Sequence, residues 1–290
     1  MKKTSKYLLD KKARGQRISM LTCYDYPTAL WEEEAGVDVM LVGDSVGTNV
    51  LGYESEKQVT LDDILHHLKA TRRGRRRAYL LADLPYGTYE EPPVALRNAR
   101  VLLEAGADGI KLEGFRPEIV SPLVDHGVEV CAHLGLNPQI HEKKALQAKD
   151  AEAAVQLLDE SLALQETGAF MIVYELIPEE VARVATQQLA IPTIGIGAGR
   201  YTDGQVLIVG DMLGANAFDL RHSVKYEASR ERGVHAIKEY VADVSKGRFP
   251  RATNARHMAE AEAERFAQRI RERSQRISVD TDSETLHPCP

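Results

Sequence analysis

The sequence contains little cysteine. Only Cys23, Cys131 and Cys289 occur among its 290 residues. Three widely separated cysteines cannot form a disulfide framework, and their spacing excludes a zinc knuckle. We therefore expect a reduced, cytoplasmic protein.

Long apolar runs are also missing. None approaches the roughly 18 residues that a membrane span needs, so we expect no membrane partner. The basic segment 1–17 is not followed by the apolar region and cleavage site of a secretory signal.

Excess positive charge is absent as well. The formal net charge is −6 and aromatic residues make up 6%, which argues against general attraction to nucleic acid. One basic run, TRRGRRR at 71–77, could attract phosphates. We expect it instead to end a helix away from the acidic residues described below, so no nucleic-acid partner is predicted.

What the chain does contain is a regular alternation of short apolar runs and helical patterns. The runs are rich in Val, Ile and Leu without in-out alternation, which is typical of parallel strands covered by helices. They lie at 18–25, 37–44, 78–85, 107–114, 128–135, 169–176, 191–199 and 205–212. Helical patterns lie between several of them, at 27–36, 61–74, 92–107, 150–169 and 178–190.

Eight strands with intervening helices predict an α/β fold of the (β/α)8 TIM barrel type. A doubly wound open sheet is the alternative, and the count of eight favours closure. We assign residues 1–250 to the barrel as the catalytic domain. An Ala-, Glu- and Arg-rich segment at 255–277 predicts an exposed C-terminal helix within the extension 251–277, and 278–290 predicts a disordered tail.

Acidic residues end several of these strands. Asp44 ends the second, Asp83 the third, Glu113 the fourth and Glu175 the sixth. Each acid taken alone could cap the following helix. In a barrel, however, the carboxyl ends of all strands surround one cavity, and catalysis occurs there. The four acids together therefore predict one functional site.

Gathered carboxylates repel one another unless positive charge lies among them. Lys111 lies two residues before Glu113 and so points to the same side of its strand, and His133 ends the fifth strand. A hard divalent cation would balance the remaining charge. Oxygen ligands without a His pair or Cys cluster favour Mg²⁺ over Zn²⁺.

Eight segments recur in order along the strands and the turns after them. They are TCYDYPTA (22–29), VMLVGDSVG (39–47), LLADLPYGTY (80–89), AGADGIKLEG (105–114), AHLGLNPQ (132–139), YELIP (174–178), IPTIGIGAG (191–199) and TDGQVLIVGDMLG (202–214). In these segments the sequence resembles the ketopantoate hydroxymethyltransferase family, from residue 18 to about residue 250. LVGDS, ADLP and KLEG are together specific for that family.

The resemblance implies a TIM barrel that binds Mg²⁺ and adds a one-carbon unit from 5,10-methylenetetrahydrofolate to 3-methyl-2-oxobutanoate. The product is ketopantoate (2-dehydropantoate), a precursor of pantothenate. A 2-oxo acid can chelate the ion, a base removes the C3 proton, and the enolate attacks the one-carbon unit. The family forms large rings, so a homo-oligomer is also implied.

The resemblance also implies roles for individual residues. The base is Glu175. The metal site comprises Asp44, Asp83 and Glu113. The substrate-binding residues comprise Ser45, Lys111 and His133 together with Asp44 and Asp83. A Schiff base at Lys111 is the alternative role for that residue.

The chain departs from the family pattern in two places. The segment after Gln139, residues 140–154, has no glycine where the family has a glycine-rich stretch, and residues 219–233 lack a Pro-Lys-Phe-like element. A metal-dependent aldol-type paralogue acting on another 2-oxo acid, or using formaldehyde as donor, is therefore the alternative. The phosphoenolpyruvate mutase and isocitrate lyase group is a further rival, but its Lys-Cys-Gly-His-type loop is absent.

Overall fold

A computed structural model of the chain describes residues 2–140, 145–216 and 221–283, with side chains up to residue 274. The chain divides into two compact units, Met1–Arg230 and Glu231–Pro290. The first unit contains all eight strands and the predicted site residues.

The strands of the first unit form one closed parallel barrel in chain order. The prediction of a TIM barrel is thus confirmed, and the open-sheet alternative is wrong. The strands are β1 (Ile18–Thr22), β2 (Val39–Val42), β3 (Tyr79–Asp83), β4 (Gly109–Glu113), β5 (Val130–Gly135), β6 (Met171–Glu175), β7 (Thr193–Ile196) and β8 (Gly204–Leu207). The predicted eighth strand was too long, because a short helix begins at Val209.

The helices of the described residues are α1 (Ser5–Ala13), α2 (Tyr26–Ala35), α3 (Leu61–Gly74), α4 (Pro92–Glu104), α5 (Pro117–Asp125), α6 (Ala151–Glu166), α7 (Glu179–Gln188), α8 (Val209–Met212), α9 (Ser229–Ser245) and α10 (Glu260–Ser283). The sequence patterns missed α1, α5, α8 and α9. The predicted C-terminal helix corresponds to α10, which continues to Ser283 and so enters the segment predicted as a tail. Residues 284–290 of that segment lie outside the described residues. Among the helices described, none combines the length and apolar content needed to cross a bilayer.

Local chemistry fixes where several helices begin. Asp25 caps α2 by accepting a hydrogen bond from Thr28 N at 2.8 Å. Thr60 caps α3 in a reciprocal arrangement, since its hydroxyl accepts from Asp63 N and the Asp63 carboxylate accepts from Thr60 N. These caps satisfy backbone N–H groups that have no partner inside the helix.

The interior of the barrel is apolar in its lower part, at the amino-terminal ends of the strands. Alternate strand residues point inward and form one buried cluster there. Leu8 of α1 belongs to this cluster and is fully buried, so α1 closes the lower end. Gly109 has a packing role in this layer, because an added Cβ would lie 2.2 Å from the Tyr79 hydroxyl.

A charged network attaches α1 to the barrel. The buried Asp38 accepts hydrogen bonds from Lys11 Nζ at 2.6 Å, Ser19 N at 3.0 Å and the Tyr7 hydroxyl at 3.0 Å. Lys3 Nζ lies 2.9 Å from the same carboxylate. Burial alone would raise the pKa of Asp38, but Lys11, Ser19 and Lys3 lower it to about 2.

The basic run at 71–77 has a structural role at the end of α3. The side chain of Arg75 is almost fully buried and pairs with Asp108. The Glu33 carboxylate accepts hydrogen bonds from the backbone N–H groups of Arg76, Arg77 and Ala78 at 2.7 to 2.9 Å. The run therefore joins the end of α3 to the start of β3.

Replacing Asp38 by Asn should lower the free energy of unfolding by about 2 kcal/mol at pH 7. The folded pKa lies below the unfolded one, so this stabilisation is complete above about pH 4 and is lost as the pH falls through about 2. Urea unfolding at a series of pH values measures it. Asp10→Asn, at an exposed position of α1, is the matched control. An equal difference between wild type and Asp38→Asn at pH 2.5 and pH 7 would contradict the assignment.

Candidate active site

The strand register brings the predicted charged residues next to one another. Asp83 of β3 pairs in register with Lys111 of β4, and Glu113 of β4 pairs with His133 of β5. All four side chains are buried. The same alternation that makes the lower interior apolar thus makes the carboxyl-terminal end of the barrel polar.

Lys111 lies among the acids. Its Nζ donates to Asp83 Oδ2 at 2.9 Å and lies 3.8 Å from Glu113 Oε1. Burial lowers the pKa of Lys111, but Asp83, Glu113 and Asp44 together raise it above its usual range. Lys111 is therefore positively charged at neutral pH.

His133 connects two acids. Its Nδ1 lies 3.1 Å from Glu113 Oε1, and its Nε2 lies 3.4 Å from Glu175 Oε2. Burial lowers the pKa of His133, but Glu113 and Glu175 outweigh it and raise the pKa to about 9. A protonated imidazole ring therefore lies between the two carboxylates, hydrogen-bonded to Glu113 through Nδ1, while its Nε2 makes no hydrogen bond within the described residues.

Glu175 ends β6 at a point where the backbone turns sharply. The next residue, Leu176, has a left-handed backbone with φ of +45°, which is costly for a residue with a side chain. On the neighbouring strand Gly135 has φ of +92°, and an added Cβ would lie 2.3 Å from the Glu175 carbonyl oxygen. These two positions set where the Glu175 side chain enters the cavity.

Asp44 lies two residues beyond β2 and is anchored from two sides. Its backbone N–H donates to Asp83 Oδ2 at 3.1 Å, and its Oδ2 accepts from Gln139 Nε2 at 2.7 Å. Gln139 also donates its backbone N–H to Glu113 Oε2 at 3.0 Å. The Gln139 Oε1 in turn accepts from the Tyr89 hydroxyl. Gln139 therefore links two acids from different strands.

The Ser45 hydroxyl is oriented by a residue after β1. It lies 2.8 Å from the Tyr24 hydroxyl. Tyr24 is buried, and burial together with Asp44 and Asp83 raises its pKa, whereas hydrogen bonds from Ser45 and Thr22 act in the opposite direction. A neutral phenol can donate to Ser45 and leave the serine O–H free to point into the cavity.

One cavity of about 410 Å³ is lined by the charged side chains and by Ser45. Its size is within the range of small-molecule sites. All seven predicted site residues line it, namely Asp44, Ser45, Asp83, Lys111, Glu113, His133 and Glu175. None of the four strand-end acids supplies the capping side chain of a described helix, so the helix-cap interpretation is wrong for this group.

The charges in the cavity do not balance. At the strand ends the carboxylates of Asp44, Asp83, Glu113 and Glu175 face the two cations Lys111 and His133. Two further acids, Glu56 and Asp211, line the same cavity, so the acids outnumber the cations. The imbalance is concentrated on Asp44 and Asp83. Burial raises the pKa of both acids, Glu113 raises them further, and Lys111 only partly opposes the effect.

A divalent cation fits this donor set. Asp83 Oδ1 is buried and has no hydrogen-bond partner among the residues described. Within the same residues, no three acidic, histidine or cysteine side chains are arranged to hold an ion by themselves. Two carboxylates completed by water and substrate oxygens are the usual arrangement for Mg²⁺.

Sequence reasoning assigned no role to Gln139, Tyr24 or Tyr89. All three lie within motifs that mark the family, but uncharged side chains after a strand give no distinct signal of chemistry. Their positions depend on how the loops after β1, β3 and β5 fold over the rim, which strand patterns do not encode.

Comparison with known proteins places the chain in a family. The sequence profile of ketopantoate hydroxymethyltransferase matches residues 2–252. The chain belongs to the ketopantoate hydroxymethyltransferase family. It is therefore an enzyme, a transferase that acts on a small-molecule substrate.

Relatives named 3-methyl-2-oxobutanoate hydroxymethyltransferase cover most of this family member. The protein of Dehalococcoides mccartyi (strain CBDB1) is 43% identical over 258 residues, which are 86% of this chain and 92% of the relative. The protein of Chloroflexus aurantiacus (strain J-10-fl) is 43% identical over 269 residues, which are 90% of this chain and 95% of the relative. The protein of Ignicoccus hospitalis is 42% identical over 257 residues, which are 86% of this chain and 98% of the relative.

Solved structures with a similar fold are distant in sequence. A phosphonopyruvate hydrolase complexed with oxalate and Mg²⁺ has a TM-score of 0.59 at 13% identity, covering 94% of this chain and 98% of its own. A 2,3-dimethylmalate lyase of the PEP mutase/isocitrate lyase superfamily has a TM-score of 0.55 at 15% identity, and the match covers 95% of this chain and 99% of the lyase. At these identities the likeness shows the barrel fold and nothing more about the reaction of this hydroxymethyltransferase family member.

Replacing Gln139 by Leu should lower the free energy of unfolding of the metal-free enzyme by roughly 1 to 3 kcal/mol. The change removes the donor to Asp44 and the acceptor for Tyr89, and it leaves buried polar groups without partners. Urea unfolding with a chelator present measures the loss. Gln156→Leu, at an exposed position of α6, should change stability by less than about 0.5 kcal/mol. Equal stabilities of the two variants would show that the Gln139 bonds contribute little.

Proposed function

We propose that this enzyme transfers a one-carbon unit from 5,10-methylenetetrahydrofolate to 3-methyl-2-oxobutanoate with the help of Mg²⁺. The product would be 2-dehydropantoate, an intermediate of pantothenate biosynthesis. One observation carries the proposal. A buried carboxylate pair with an unpartnered oxygen shares a single cavity with Lys111, Ser45 and Glu175.

Asp44 and Asp83 would hold the ion directly. Asp83 Oδ2 is already bonded to Lys111, which leaves Oδ1 for the metal. Glu113, the third predicted ligand, already accepts from Gln139 N and His133. We assign it the role of holding those partners in place around the ion. When bound, Mg²⁺ would polarise the keto group of the 2-oxo acid as a Lewis acid.

Lys111 and Ser45 would bind the negatively charged substrate. The Lys111 ammonium supplies positive charge inside a buried pocket, where electrostatic stabilisation of developing charge is strongest. The Ser45 hydroxyl, oriented by Tyr24, would donate to the substrate carboxylate. The ion pair between Lys111 Nζ and Asp83 Oδ2 at 2.9 Å favours the protonated amine, which is not a nucleophile, and so disfavours the Schiff-base alternative.

Glu175 would remove the proton from C3. Its side chain lines the cavity and is less buried than those of the other acids, with 16% exposed compared with 1% for Glu113. The neighbouring His133, whose Nε2 lies 3.4 Å from Glu175 Oε2, would place positive charge beside this carboxylate. The resulting carbanion at C3 would then attack the methylene carbon of the donor. Water would supply the hydroxyl oxygen of the product, and both carbon–nitrogen bonds to the folate would break as its nitrogens take up protons, which releases tetrahydrofolate.

Proton exchange at C3 tests the proposed reaction in two stages. In D₂O with Mg²⁺ and no donor, the enzyme should exchange the C3 proton of 3-methyl-2-oxobutanoate for deuterium. The loss of the C3 proton signal is measured by NMR. Adding 5,10-methylenetetrahydrofolate should then yield 2-dehydropantoate, and a chelator should stop both stages. If the enzyme exchanges the C3 proton but forms product only when formaldehyde is the donor, the proposal is contradicted. The same holds if it forms product only from another 2-oxo acid, and either result would identify the paralogous activity.

Replacing Glu175 by Gln should slow C3 exchange by roughly 10²- to 10⁴-fold, the range typical of losing a general base. Metal binding should be unchanged, since Glu175 is not assigned to the ion, and titration with Mn²⁺ followed by electron paramagnetic resonance measures it. Glu166→Gln, at an exposed position of α6, should leave exchange unaffected. Undiminished exchange in Glu175→Gln would remove this residue from the role of base.

A homo-oligomer remains part of the proposal. Within the second unit, Ile237, Val241 and Val244 of α9 are spaced for one face of the helix and have 64%, 55% and 48% of their surface exposed. An apolar face of this kind is typical of helices that pack against another chain.

A further inference from the structure

The cavity extends beyond the charged groups used in the proposed reaction. On the side formed by residues after β2 and β8, it is lined by Asn49, Glu56 and Asp211. Apolar side chains from the strand ends, including Ile196 and Ile208, line the same cavity. None of these five residues has a role in the steps described above, and a five-carbon acid bound at Asp44 and Asp83 does not need them.

Among the residues on this side of the cavity, Asp211 indicates most clearly which ligand could bind there. It is only 6% exposed, and it is placed by α8, the short helix that replaces the end of the predicted eighth strand. Its Oδ1 accepts from Asn216 Nδ2 at 2.6 Å. No hydrogen bond to its other oxygen occurs within the described residues. A carboxylate has about four acceptor positions, so most of this capacity is available to a ligand.

The neighbouring amide groups hold Asp211 in place rather than neutralise it. Asn216 Nδ2 also donates to Asn49 Oδ1 at 2.8 Å, and Asn49 Nδ2 donates to the Ser45 carbonyl oxygen at 3.0 Å. The chain of bonds therefore runs from Asp211 to the loop that carries Ser45. A ligand bound at Asp211 would be positioned relative to the substrate site through a continuous polar network.

We propose that Asp211 binds the ring of the one-carbon donor, a flat heterocycle with two adjacent N–H donors such as the 2-amino-4-oxopteridine of tetrahydrofolate. This inference rests on the proposed function and specifies which residue recognises the donor. The ring N3–H and the 2-amino group point in the same direction and match the two oxygens of one carboxylate. Charge-assisted hydrogen bonds of this type are about twice as strong as neutral ones.

The surroundings favour such a ring over other ligands. Negative charge from Asp211 and Glu56 disfavours an anionic group, such as a phosphate or a second carboxylate, on this side of the cavity. Ile196 and Ile208 offer apolar contact to the faces of a planar ring. An apolar surface with a few placed polar groups is the usual composition of a site for a cofactor-sized ligand.

Replacing Asp211 by Asn tests the inference, because the side chain keeps its shape and the acceptor for Asn216. The dissociation constant of tetrahydrofolate, measured by calorimetry, and the KM for 5,10-methylenetetrahydrofolate should rise roughly tenfold or more. Donor-independent C3 exchange should stay within about twofold of wild type, which also shows that the variant is folded. Asp159→Asn, at an exposed position of α6, is the matched control and should change neither quantity.

A second measurement needs no variant. Free pterin, the ring without its tail, should inhibit the folate-dependent reaction of the wild-type enzyme competitively with the donor and leave C3 exchange unaffected. Unchanged donor affinity in Asp211→Asn, or no competition by pterin up to its solubility limit, would overturn the assignment of Asp211 and leave the proposed function intact. A wild-type enzyme that exchanges the C3 proton but does not bind tetrahydrofolate would overturn both.

Discussion

The site depends on how buried negative charge is balanced. Asp44, Asp83 and Glu113 lie next to one another in an interior from which water is largely excluded, and carboxylates in such surroundings tend to bind protons unless cations are close. Lys111 and His133 provide part of the balance, and both have raised pKa values as a result. Glu113 lies between these two cations, and its pKa falls despite burial, whereas the pKa values of Asp44 and Asp83 rise. The negative charge of Glu113 is therefore balanced by its neighbours, whereas Asp44 and Asp83 still require positive charge.

The barrel is confirmed, and the charged residues at the strand ends line one cavity as expected, because both features follow from the period of the strands. A strand that points Lys111 inward must also point Glu113 inward, and parallel register then places Asp83 and His133 beside them. The same logic failed where the chain leaves the strands. The run 205–212 reads as one apolar strand, yet the backbone turns into a helix at Val209, whose N–H donates to the Thr22 hydroxyl on β1. That contact joins residues far apart in sequence, and no local pattern reports it.

The polar residues around the site were harder to predict for a related reason. Gln139 connects Asp44 to Glu113 only because the loop after β5 folds back across the rim, and Asn49 reaches Asn216 across two loops. Amide side chains have no charge pattern and no fixed spacing, so their roles appear only in three dimensions. Phosphonopyruvate hydrolase and 2,3-dimethylmalate lyase share the barrel fold with this chain at low sequence identity. A shared barrel leaves the reaction open, since the residues that decide it lie on strand ends and loops.

Leu8 has a consequence for the order in which ligands bind. With α1 and the Tyr79 layer filling the amino-terminal end, the chamber is accessible from its other end, and everything that reacts must pass through the same mouth. The acids that would hold the small 2-oxo acid lie at or just after the strand ends, whereas Asp211 lies in α8, beyond the end of β8. A bulky second reactant seated near the mouth would obstruct the way to the deeper position. Under the proposed function, steady-state kinetics should thus follow a compulsory sequence, with the keto acid first to arrive and the spent folate first to depart.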